Sequence, residues 1–199
     1  MSTSDRRAEL RTRLIDAAEA QIAAEGLASL RARDLAESAG CAVGSIYTIF
    51  PDLHALALAV NLRTFTAMGA QIQAAVTTVA DAPPPDRMVT MAEAYLDYAL
   101  ANPRRWRALF DVEMRADDDV PPAYGTALAA LFDLIALPLR ELARSADPTR
   151  IEMLTRALFS SIHGLVLLGV EGRISGVRRD DLPEAISFIV RAGCEAAAD

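Results

Sequence analysis

An all-α fold is the expectation for this chain, and three observations carry it. Apolar residues recur at helical spacing almost everywhere, and strand-like alternation is almost absent. Alanine, leucine and arginine dominate, and runs of β-branched residues are rare. Prolines stand where helical patterns restart. Pro103, Pro122, Pro148 and Pro183 each suit a first helical turn, where a missing N–H costs nothing.

The elements follow in order. Leu10, Leu14, Ala18 and Ile22 recur every four residues with Ile15 beside them, one apolar stripe on a helix over about 5–25. Gly26 suits the stop. Arg31–Ser38 is too short to be stable alone and must be held by packing. Ala39-Gly40-Cys41 reads as a tight turn, and Val43–Ile49 as a second short helix. After Pro51-Asp52 a long helical pattern runs from about Asp52 to Thr78, with Leu53, Leu56, Ala57, Val60 and Ala67 on related faces. Asp81–Pro85 is the clearest break. Helices are expected near Asp86–Ala101, Pro103–Met114, Pro122–Arg144, Pro148–Val170 and Pro183–Ala197, about nine in all. Asn102 and Asp147 suit N-caps, Asp117–Asp119 a loop, and Pro138 a kink or split.

Composition bounds the function. With 199 residues, 52% of them apolar, the chain can bury a core in one large or two small domains. Cys41 and Cys194 cannot build a disulfide framework, which points to a reducing, cytoplasmic compartment. The uncharged stretches Thr64–Ala80 and Ala157–Val170 fall short of the ~18 to 20 apolar residues of a membrane span. No secretory signal is expected. The net charge of −7 excludes a simple polybasic nucleic-acid binder, although a small DNA-reading element on an acidic body remains compatible with it.

Enzymatic motifs are missing. There is no Glu-x-x-His pair for a dimetal site, no Gly-x-Ser-x-Gly elbow, no P-loop and no dinucleotide fingerprint. Two distant cysteines and two histidines offer no zinc spacing. Neither a metal nor another cofactor is expected.

Three helices, two of them short and joined by a glycine turn, describe a helix-turn-helix unit. Leu35, Ala36, Ile46 and Phe50 would face inward, and Val43, Ser45, Tyr47 and Thr48 outward toward base edges and phosphates. Arg33-Asp-Leu-Ala36, Ala39-Gly40, Val43-Gly-Ser-Ile-Tyr47 and Phe50-Pro51 closely resemble the TetR family of bacterial transcriptional regulators over about 50 residues. More loosely, Tyr95–Pro103, Trp106–Phe110 and Ile162-His-Gly164 resemble a family subgroup with a Trp and a His-Gly in the C-terminal domain.

Two positions depart from the family pattern. Asp52-Leu53 replaces a frequent Ser/Asn-Lys step, and Leu30-Arg31 replaces a Thr or Ser. Residues 1–62 hold six Arg against eight acids, so phosphate contact falls to a few arginines. Arg31 and Arg33, opening the second helix, are the candidates there.

The resemblance implies a helix-turn-helix DNA-binding domain over 1–51 and an effector-binding and dimerisation domain over 52–199. In the latter, Phe65, Met68, Met91, Tyr95, Trp106, Phe110, Tyr124 and Phe132 are candidate lining groups, with His163 as a polar anchor. Leu154, Leu158, Ile162 and Leu165 form an apolar stripe, and Phe159, Val166 and Val170 a second one. A helix apolar on two sides needs two partners. The resemblance implies that the last two helices form a four-helix homodimer interface, with Ile186, Ile189 and Val190 added from the last.

The expected function is thus a ligand-responsive regulator on double-stranded operator DNA, a repressor released by a small apolar or aromatic effector. The alternative is a dimeric helical small-molecule-binding protein without specific DNA binding.

Overall fold

The computed structural model describes residues 2–114 and 121–198, so the loop expected at Asp117–Asp119 lies outside the described residues. Among the described residues there are nine α-helices, two short 3-10 turns and no strand.

Helix α1 (Thr3–Glu25) starts on a capping box: Ser2 Oγ accepts from Asp5 N–H at 3.0 Å, and the Asp5 carboxylate accepts from Ser2 N–H at 2.8 Å. It stops at Gly26, whose φ of +89° is costly for a residue with a Cβ. Helices α2 (Ala32–Ser38) and α3 (Val43–Ile49) follow, then α4 (Leu53–Thr77) and α5 (Pro84–Ala101). Next come α6 (Pro103–Asp111), α7 (Pro122–Leu142), α8 (Pro148–Val170) and α9 (Leu182–Ala197).

The differences from expectation are local. α5 begins inside the proline run, because Pro84 is at home in a first turn. Asp147 caps α8 by accepting from Arg150 N–H at 2.9 Å, whereas Asn102 makes no side-chain cap bond to α6. Pro138 does not split α7. The 3-10 turns at Leu27–Ser29 and Arg179–Asp181 are too short to leave a periodic pattern.

The chain divides into two compact units, Met1–Thr66 with Asn102–Gly125, and Ala67–Ala101 with Thr126–Asp199. This differs from a division after residue 51, because α6 packs on α1. In the first unit Leu14, Ala18 and Ile22 of α1 are buried, together with Leu35, Ile46 and Phe50 of the two short helices. An ion-pair cluster ties α1 to α4 and α6. Arg63 reaches Asp16 at 2.5 Å and Glu19 at 3.0 Å, and Arg105 reaches Glu19 at 2.6 Å. Partly exposed pairs of this kind add little stability each, but the cluster fixes which faces meet.

Deeper in the same unit, the buried Asn61 donates from Nδ2 to the Ala108 carbonyl at 2.9 Å, joining α4 to α6. Tyr124 packs edge-on against Phe65, with ring centroids 5.1 Å apart. Burial pushes its hydroxyl up to about 12.

The second unit is built on α5, α8 and α9, which pack on one another. Buried Ile186, Val190 and Cys194 are the inward face of α9, and Cys194 Sγ lies 3.6 Å from Met88 Sδ of α5. Glycines allow the close approach: a Cβ on Gly193 would stand 2.5 Å from Leu158 Cδ2 of α8.

By length and mean hydropathy α7 and α8 are each long and apolar enough to cross a membrane, although their uninterrupted uncharged stretches are not. A few charged residues within a long helix shorten the stretch without making the whole helix polar.

Two predictions follow from the polar centre of the first unit. Asn61→Leu leaves the buried Ala108 carbonyl without its donor and should cost about 1–3 kcal/mol in urea unfolding. Tyr124 favours its neutral form when folded, so its contribution is complete below about pH 10 and is lost as pH rises toward about 12. Thermal melts followed by circular dichroism should fall over that window, and Tyr124→Phe should flatten the fall.

Candidate functional site

Two places carry chemistry: the surface of α3 in the first unit and a cavity in the second. The turn before α3 is a Schellman motif. Cys41 N–H donates to the Ala36 carbonyl at 2.9 Å and Gly40 N–H to that of Glu37 at 3.1 Å. Gly40 takes the left-handed conformation, φ +64°, that this motif needs. The chain therefore leaves α2 in a fixed direction and enters α3 with Ile46 pointing inward.

The outward face of α3 is as the helical spacing predicts. Val43 is 40% exposed and Tyr47 50%, Thr48 is exposed and Ser45 half-buried. Arg33 is also exposed. Arg31 is engaged differently from expectation: its Nη1 donates to the carbonyls of Ala28 at 2.8 Å and Leu30 at 2.9 Å, holding the bend before α2.

An unanticipated contact involves α1. Arg7 Nη2 donates to the Thr48 carbonyl at 2.7 Å, near the C-terminal end of α3, where a cation complements the helix dipole. Arg11 lies over the Phe50 ring at 5.0 Å. Two arginines thus clasp the end of α3, which their sequence position in an exposed first stretch of helix did not reveal. Asp16 and Glu19, two of the acids that weigh against DNA binding, are spent on Arg63 and Arg105.

The second unit contains a partly open cavity of about 80 Å³. Met68 and Ile72 line it from α4, Met88, Met91 and Tyr95 from α5, and Leu158, Phe159 and Ile162 from α8. Phe159 is the centre of an aromatic group. Phe132 meets it edge-on at 5.2 Å between centroids, and His163 stacks on it at 5.6 Å with planes 10° apart. Tyr95 Oη and His163 Nδ1 are hydrogen-bonded at 2.9 Å.

The candidate lining therefore divides. Met68, Met91 and Tyr95 line the cavity, and Phe132 and His163 adjoin it through Phe159. Phe65, Trp106, Phe110 and Tyr124 do not line it. They belong to the first unit, where Phe65 packs on Tyr124 and Trp106 on Phe110. Aromatic residue type alone does not separate a lining ring from a packed one.

Of the stripes on α8 and α9, the structure takes four residues into the subunit's own core. Leu158, Ile162, Ile186 and Val190 are buried inside the subunit, and Leu154, Leu165 and Ile189 are half-buried. The outward apolar residues are instead Met153 (52% exposed) and Leu168 on α8 and Phe188 (70% exposed) on α9. Leu158 and Ile162 of the first stripe face inward, because α5 and α9 pack on α8.

Among the described residues no group of three His, Cys, Asp or Glu side chains is placed to hold a metal ion.

Comparisons with known proteins agree with this architecture. Residues 14–60 match the family described as bacterial regulatory proteins of the tetR family, and residues 88–192 match a tetracyclin repressor-like C-terminal domain. No curated protein matches the chain in sequence. Among solved structures, a protein of unknown function from Rhodococcus sp. RHA1 is 25% identical, with a TM-score of 0.72 over 92% of this chain and 94% of its own. A TetR transcriptional regulator from the same organism is 20% identical, with a TM-score of 0.68 over 96% and 97%. RolR in complex with resorcinol is 19% identical, with a TM-score of 0.68 over 98% and 95%. With a helix-turn-helix held by a Schellman turn, a helical second unit, and family matches to both parts of the sequence, the chain belongs to the TetR family of bacterial transcriptional regulators.

Proposed function

We propose that the protein is a homodimeric repressor that binds a palindromic operator and is released by a small apolar or aromatic effector. The observation that carries this reading is the outward face of α3, a packed helix that presents Val43, Tyr47 and Thr48 to solvent with Ser45 beside them. Val43 suits a thymine methyl, and Ser45 and Thr48 suit hydrogen bonds to base edges or phosphate. Tyr47 and Arg33 are assigned to phosphate. Arg31 holds its own backbone and is left out of that set. Arg7 is added as the residue that sets the end of α3.

Operator half-sites one turn apart require two recognition helices about 34–36 Å apart. The outward residues Met153, Leu168 and Phe188 supply the apolar face for a second copy. The cavity of the second unit is the proposed effector site. The structure of RolR with resorcinol supports a small aromatic effector by likeness of fold. α4 contributes Met68 and Ile72 to that cavity and is separated from α3 by three residues, so the proposed coupling runs along it. An effector shifts DNA affinity only by binding one conformation better, typically by ~1–3 kcal/mol. A cytoplasmic location follows from this reading.

The deciding experiment is fluorescence anisotropy on the DNA flanking the protein's own gene, at two salt concentrations with random competitor. Salt-sensitive binding that survives competitor supports the repressor. Binding that competitor abolishes on this DNA and on duplexes selected from a random pool favours a DNA-silent ligand binder, the reading favoured by the acid excess of residues 1–62. Tyr47→Ala should weaken operator binding about tenfold while light scattering still reports a dimer, and unchanged affinity removes Tyr47 from the interface. Phe188→Asp should yield a monomer by light scattering. A persistent dimer would move the interface off α9.

A further inference from the structure

Glycine weakens a helix relative to alanine, because its backbone loses more freedom on ordering. A glycine inside a helix therefore needs a reason, and some have one within the chain. A Cβ on Gly169 would stand 2.5 Å from Leu182 Cδ2, and one on Gly69 3.2 Å from Leu131 Cδ2. Gly44, in the seven-residue helix α3, has no such neighbour. Its φ is not positive, and a Cβ there would meet no atom within 4 Å. Gly125 and Gly164 are open in the same way, but they lie on α7 and α8 and not on the helix proposed to read DNA.

The place of Gly44 on α3 supplies the reason. At 3.6 residues per turn it stands nearly opposite the buried Ile46, in the middle of the exposed face. Tyr47 and Thr48 follow three and four positions on, so they are its neighbours on the helix surface. Their Cα–Cβ bonds tilt back toward the start of the helix, and so toward Gly44. Val43 precedes it on the same exposed face. The reading face thus carries a notch one methyl group deep, floored by the Gly44 backbone and rimmed by exposed side chains.

The rim is mostly apolar in what it can still offer. Val43 contributes an isopropyl group and Tyr47 a ring. Thr48 Oγ1 donates to the Ser45 carbonyl at 2.7 Å, which spends its only proton and leaves its methyl and its lone pairs. On the major-groove edge of DNA the apolar group is the C5 methyl of thymine. It matches the notch in size and the rim in chemistry.

We propose that Gly44 is a specificity-determining residue, whose missing side chain seats a thymine methyl of the operator against the α3 backbone. This rests on the reading of α3 as the DNA-contacting helix. An alanine there would fill the notch from the protein's side, so one of the two methyls must be absent for the surfaces to meet.

The test therefore pairs Gly44→Ala with removal of the methyl from DNA. Fluorescence anisotropy of the full chain is measured on the tightest duplex recovered from a random pool. It is repeated on copies in which each thymine in turn is replaced by deoxyuridine. For the unaltered protein, deoxyuridine at the seated position should weaken binding about fourfold, the loss for one buried methyl. Gly44→Ala should weaken binding to the thymine duplex about tenfold, and deoxyuridine at that same position should restore most of it. Its melting temperature should equal or exceed that of the unaltered protein, since alanine is the better helix former. Unchanged affinity of Gly44→Ala, or a loss that deoxyuridine repairs at no position, would overturn the notch while leaving α3 the DNA-contacting helix. A lowered melting temperature would make Gly44 a folding residue and overturn it as well. Failure of the unaltered protein to prefer any selected duplex over random DNA would overturn the notch and the reading of α3 together.

Discussion

Two helices of seven residues each depend on packing for their existence. Neither α2 nor α3 is long enough to be stable in isolation, since nucleation costs more than so few hydrogen bonds return. What holds them is the buried stripe Leu14, Ala18 and Ile22 of α1, against which Leu35, Ile46 and Phe50 close. The Schellman turn at Gly40 then sets the angle between the two, and the clasp of Arg7 and Arg11 sets where α3 ends. The exposed face of α3, proposed above to contact DNA, is a by-product of the buried one. Any change that loosens Ile46 would move Tyr47 as well.

The two units solve different problems with the same helical material. The first is stitched by directed interactions: a capping box, an ion-pair cluster around Glu19, and the Asn61 bond to Ala108. These are geometrically demanding, and they suit a surface that must keep its shape. The second is held mainly by apolar contact and by small residues that let helices approach, as Gly193 does beside Leu158. Its methionines leave slack. Directed polar stitching and yielding apolar packing are thus written in different side-chain chemistry.

Much of the fold was legible in the sequence, because periodicity and proline positions are local signals. The helix from Pro148 to Val170 has the bounds that spacing and Asp147 indicate. The inward set Leu35, Ala36, Ile46 and Phe50 is buried as expected. The cavity was only half legible. Met68, Met91 and Tyr95 line it, but Phe65, Trp106, Phe110 and Tyr124 pack elsewhere, since a ring's surroundings depend on which helices meet. The stripe Leu158–Ile162 was recognised as apolar but not as the inner face, because two apolar faces on one helix look alike until neighbours are known. The Arg7 bond to Thr48 spans 41 residues, and no local pattern announces it.

Trp106 is the chain's single tryptophan, and it is buried in the first unit while the cavity belongs to the second. Nature has in effect labelled one unit and left the other dark. Indole emission excited at long wavelength comes from the first unit alone. A spectral change on ligand addition would therefore report the surroundings of Trp106 in the first unit.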